Sequence, residues 1–85
     1  MKADKTKVTR LVKTAKGQLE GILRMIEEDR YCLDISNQLM AASAILGRAN
    51  KEVIAAHMRA CVMEGIENNE EERIEEMIAL IEKLI

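Results

Sequence analysis

Residues 35–63, ISNQLMAASAILGRANKEVIAAHMRACVM, decide the architecture. Ile35, Leu39, Ala42, Leu46, Ala49, Val53, Ala56, Ala60 and Met63 alternate steps of four and three over about four heptads, the spacing of a coiled-coil seam. Gly47 lowers helix propensity without breaking the pattern. The polar stretch EEDRY (27–31) precedes the seam, and Gly65 with ENNEEE (67–72) closes it. A helix of about 34 residues would be roughly 50 Å long, too long for a domain of this size to wrap on its own. It needs a copy of itself.

The flanking segments are helical too. Val8, Leu11, Val12, Ala15, Leu19, Ile22, Leu23 and Ile26 carry the spacing of an amphipathic helix over roughly 5 to 28. Gly17 and Gly21 lie inside it, each costing about 1 kcal/mol relative to Ala, which points to a close helix crossing. Asn68 or Asn69 can cap a third helix, whose glutamates at 70–72 make a solvated start favoured by the helix dipole. Its apolar positions are Ile74, Met77, Ile78, Ile81, Leu84 and Ile85. The chain lacks Pro, Trp and Phe, and Tyr31 is its one aromatic residue. The expected class is therefore all-α, three helices in a single domain spanning 1–85. Met25, Met40, Met63 and Met77 read as core filler.

The net charge of −2 conceals a gradient: residues 1–24 hold most of the basic side chains and residues 64–85 most of the acidic ones. Such a basic segment can form a phosphate footprint even in an acidic chain. The N-terminal MKADKTKVTR has no apolar core for a signal peptide, and no apolar run approaches the ~20 residues of a membrane span. A cytoplasmic protein that does not insert in a membrane is expected. Two cysteines in that compartment argue for thiol chemistry or metal binding rather than a structural disulfide.

Those cysteines, Cys32 and Cys61, and the single histidine, His57, form the chemically distinctive set. His57 and Cys61 share a helix face at i, i+4, the usual presentation of paired metal ligands. Cys32 lies about 37 Å away along the same helix and cannot join them within one unbroken subunit. In an antiparallel dimer with its two-fold axis near Ile45 and Leu46, Cys32 of one chain comes level with residue 59 of the other. The three rare residues then converge at both ends of the dimer. That symmetry favours a metal site over the plain alternative of a surface histidine and a buried small hydrophobe. Two thiolates and an imidazole suit Cu(I), and Zn(II) with a water as fourth ligand also fits the donor set. The seam offers no general base beside a substrate pocket, so no enzyme is expected.

The strings GQLEGILRMIEEDRYCLDI (17–35), HMRAC (57–61) and IEEMI (74–78) resemble the copper-sensing branch of the CsoR/RcnR family of bacterial metal and thiol sensors, over nearly the whole chain. The resemblance implies an antiparallel four-helix dimer, assembled as a homotetramer, that binds double-stranded operator DNA when metal-free and releases it with Cu(I). It implies Cys32, His57 and Cys61 as copper ligands, with Tyr31 and Glu76 hydrogen-bonding the far side of the histidine ring. The persulfide-sensing branch lacks histidine at the place of His57, the nickel/cobalt branch carries N-terminal histidines absent here, and the formaldehyde branch has Pro where Lys2 stands. One departure is Leu11, beside Arg10, where family members usually place an arginine. Arg10, Lys13 and Lys16 from the first helix, with Arg48 and Lys51 from the second, are the expected DNA contacts. No helix-turn-helix is recognisable, so shape and phosphate contacts should outweigh base readout. The alternatives are a thiol or persulfide sensor coupling Cys32 and Cys61 across the dimer, and a membrane-surface module using the basic first helix.

Overall fold

The computed structural model describes residues 1–65 and 70–84. They form three helices and no strand: α1 Lys5–Glu27, α2 Cys32–Gly65 and α3 Glu70–Leu84. The expected caps Asn68 and Asn69 lie outside the described residues.

The start of α1 is set by Asp4, which the hydrophobic pattern did not single out. Its backbone is extended and its Oδ1 accepts from the amides of Thr6 and Lys7 at 3.0 and 3.2 Å. Two of the donors left orphaned at a helix start are thereby satisfied. At the other end, the Arg30 amide donates to the Met25 carbonyl (3.0 Å) and the Asp29 amide to that of Ile26 (3.1 Å). This is a Schellman closure, and it requires a left-handed residue at Asp29, where φ is 51°. The carbonyl of Tyr31 then accepts from Asp34 and Ile35, so α2 begins at Cys32 within two residues of the reversal. Asp29→Gly should raise stability by about 1 kcal/mol, since glycine adopts φ > 0 without the Cβ penalty. Urea unfolding of the two proteins would check this.

α1 packs along α2, and α3 returns onto the C-terminal part of α2; α1 and α3 do not touch each other among the described residues. The core is thin: among the described residues, Ala15, Ile22, Ala42, Ala49, Ile54 and Cys61 are the buried apolar ones. The molecule measures 56 × 25 × 13 Å with a radius of gyration of 17.3 Å, against about 12 Å for a compact domain of this length.

The seam on α2 does not stay on one face. Ala42 and Ala49 are buried, Ile35, Val53, Ala56 and Ala60 are half-buried, and Met63 is 81% exposed. A strict seven-residue repeat drifts about 20° per heptad on a straight helix, or about 80° over four. The line therefore winds off the α1 contact before it reaches Met63. The expectation that Met40 and Met63 fill the core is corrected: both are exposed, Met40 because it lies about 160° around α2 from Ala42, off the seam altogether. Gly17 and Gly21 mark no close crossing within the chain. A Cβ would meet nothing within 4 Å at Gly17, and only the Arg24 guanidinium, at 3.7 Å, at Gly21.

Candidate metal centre

α3 carries the acidic sequence IEEMI back across α2, and this brings Glu76 to His57. The imidazole Nε2 lies 2.7 Å from Glu76 Oε1 and 3.4 Å from Cys61 Sγ. One ligand atom from each of His57, Cys61 and Glu76 falls within 4.8 Å of the others. His57 and Glu76 are 40% and 49% exposed, whereas Cys61 is only 2% exposed. At that exposure the His57–Glu76 pair contributes less than about 1 kcal/mol to stability, so its value lies in fixing the ring. When Nε2 carries the proton it donates to the carboxylate, and Nδ1 keeps its lone pair. A soft ion approaching Nδ1 would leave the Glu76 bond intact, while one approaching Nε2 would have to displace it.

The donor chemistry fits a soft ion incompletely. Thiolate sulfur and imidazole nitrogen suit Cu(I), but a carboxylate is a hard ligand, so Glu76 fits better as the partner of the ring than as a third donor. A second sulfur would complete the set. Cys32, a free exposed thiol, stands at the first residue of α2, and Tyr31 is 64% exposed at the turn before it. Neither joins the cluster within the chain. At about 100° per residue, however, Cys32, His57 and Cys61 fall within a stripe about 40° wide on α2.

The basic residues are all exposed: Arg10, Lys13 and Lys16 on α1, Arg48 and Lys51 on α2. Lys13 lies about 160–180° around α1 from Ala15 and Ile22, on the side away from α2, and Lys51 about as far around α2 from Ala42 and Ala49. One chain does not unite the two groups on a single face. Thr6, Thr9 and Thr14 join Lys5, Arg10 and Lys13 in lining a shallow groove of about 630 Å³ on α1. Threonine hydroxyls have no signature in a charge count. Their spacing beside Arg10 and Lys13 was the available signal.

A family model described as the metal-sensitive transcriptional repressor matches residues 4–83. The chain belongs to that family. It is similar to the copper-sensing transcriptional repressor CsoR of Mycobacterium ulcerans (strain Agy99), 46% identical over 50 residues, covering 59% of this chain and 43% of that protein. CsoR of Mycobacterium tuberculosis (strain ATCC 25618 / H37Rv) is 37% identical over 68 residues, 79% of this chain and 57% of the relative. CsoR of Bacillus subtilis (strain 168) is 32% identical over 81 residues, 94% and 80% of the two chains. The chain thus spans about half the length of the mycobacterial relatives it matches. Among solved structures, the nickel-responsive transcriptional regulator InrS superposes with a TM-score of 0.85 at 20% identity, covering 100% of this chain and 97% of that one. The likeness confirms the three-helix fold. No helix among the described residues is long and apolar enough to cross a membrane.

Proposed function

We propose that residues 1–85 form one sensing and DNA-binding domain, a Cu(I)-responsive repressor that holds operator DNA when metal-free and releases it on binding Cu(I). The observation that carries this reading is the His57–Cys61–Glu76 cluster, a sulfur–nitrogen pair oriented by a carboxylate and short of one soft ligand. Cys32 of a second, antiparallel copy supplies that ligand, because it shares the stripe on α2 with His57 and Cys61. Exposed Leu39 and Leu46 extend the same side of α2, and exposed Val12, Leu19, Leu23 and Ile26 give α1 an apolar stripe of its own. A second copy covering these faces would supply the core that one chain lacks. The relatives named copper-sensing repressors support copper over other soft ions. Anaerobic titration of the reduced protein with Cu(I), followed by binding to its own promoter region, tests the whole scheme. Loss of DNA at one Cu(I) per subunit is expected, and unchanged binding at saturation would overturn it.

For DNA, the favoured contacts are Arg10, Lys13 and Lys16 with Arg48 and Lys51, joined across copies into one basic surface, with hydroxyls of Thr6 and Thr9 alongside. Binding should weaken steeply with salt, since each neutralised phosphate releases counterions. Lys13→Glu or Arg48→Glu should reduce the slope of log K against log salt by about 1 or more per subunit engaged. A fluorescence-anisotropy salt series on each variant measures this directly.

The free, exposed Cys32 thiol also supports a persulfide-sensing reading on the same scaffold. Mass spectrometry after polysulfide treatment separates the two. A Cys32–Cys61 link of one or more sulfurs that also lifts the protein from DNA would favour the thiol sensor.

A further inference from the structure

Half of the six methionines, Met58, Met63 and Met77, line one groove between α2 and α3, of about 320 Å³, together with Val62 and Arg59. The position is not arbitrary with respect to the cluster described above. Met58 and Val62 flank Cys61 in α2, and Met77 follows Glu76 in α3. Hydrophobic filling does not account for the choice of side chain. Met63 is 81% exposed and buries little, and leucine would serve helix and groove equally well. What methionine adds is a soft, uncharged sulfur that ligates Cu(I) or Ag(I) without first losing a proton.

We propose that this groove is a second, weaker soft-metal site, in which the thioethers of Met58, Met63 and Met77 hold a monovalent d10 ion within a few residues of Cys61. Arg59, which also lines the groove, is exposed, and its long stem allows the guanidinium to extend into water, where its charge is screened. Thioethers bind more weakly than a thiolate–imidazole set, so an ion caught at the solvent-facing Met63 has a downhill path to Cys61. The transfer leaves the thioethers as they were and displaces the thiol proton of Cys61 to solvent. The feeding role rests on the Cu(I) reading under Proposed function, whereas the thioether site stands on its own residues.

The test uses the full chain, reduced and anaerobic, titrated with Ag(I) and then Cu(I) against a competing chelator. The methionine methyl resonances are followed by NMR and the thiolate site by its ultraviolet charge-transfer band. The first equivalent should raise the ultraviolet band. A second should shift the methyls of Met58, Met63 and Met77 together, with an affinity that stays flat between about pH 6 and 8, unlike a thiolate site. Met58→Leu with Met77→Leu, close in volume and checked for retained helicity, should weaken the second equivalent by about 10-fold or more and leave the first unchanged. Methyls that do not move with metal overturn the proposal. So do methyls that move only with protein concentration, which would make the groove a contact between copies. Absence of the ultraviolet band with the methyl shifts intact would instead overturn the thiolate assignment and leave the methionine site standing.

Discussion

Saturated with Cu(I), the His57→Ala protein should stay on its operator. In the proposed site two thiolates, Cys61 and the partner copy's equivalent of Cys32, would supply most of the attraction for a soft ion, so the variant should still bind copper, about 10- to 100-fold more weakly. The imidazole offers what the thiolates lack, a second nitrogen through which the event would pass outward. Glu76 Oε1 lies 2.7 Å from Nε2, and this bond links α2 to α3 across 19 residues of chain. A ligand shifts a two-state equilibrium only through its differential affinity for the two states, and allosteric couplings of about 1–3 kcal/mol correspond to roughly 5- to 150-fold in DNA affinity. In the variant that factor should fall to within about 2-fold of unity. Anisotropy with labelled operator, with and without Cu(I), gives the factor for each protein. Glu76→Gln should show an intermediate value with copper affinity less affected. If copper displaced the His57→Ala protein as fully as the parent, the route through α3 would be abandoned while the sulfur ligands could stand.

The second large effect is complementation between two inactive chains. In the proposed antiparallel dimer, Cys32→Ala and Cys61→Ala homodimers would each lack one thiolate at both sites. Mixed heterodimers hold one site with Cys32, His57 and Cys61 and one with neither cysteine. Half of the parental capacity for three-coordinate Cu(I) should therefore return, in the heterodimer fraction alone, and X-ray absorption at the copper edge distinguishes it from two-coordinate binding. Because Cys32 and Cys61 stand at opposite ends of the 34-residue α2, no fold-back of an intact helix can mimic this result. Full three-coordinate binding by a verified monomer would exclude the shared site.

Helix spans and the chemically rare residues could be read directly because both depend on local periodicity. The spacing of Val8 to Ile26 and of Ile35 to Met63 places α1 and α2 within a residue or two of their observed ends. The same helical period that forms the seam aligns Cys32, His57 and Cys61 on one stripe, so their kinship does not depend on how α2 packs. The Asp4 cap is not legible in the pattern, because it acts through one carboxylate and two amides and leaves no periodic trace. Nor is Asp29, whose left-handed backbone follows from the closure between Met25 and Arg30 and not from its own preference.

Tertiary structure decided what no local pattern encodes. That Glu76, among the many acids of α3, meets His57 depends on where α3 crosses α2, a relation between elements that sequence spacing leaves open. Which flank of the seam α1 covers decided that Ala42 and Ala49 are buried while Leu39 and Leu46, about 60° around α2, are left to solvent. The opposite placement of Lys13 and Lys51 depends on which faces of α1 and α2 pack together. Charge counting alone could find both groups, but only the packed pair of helices shows that one chain cannot present them as a single surface.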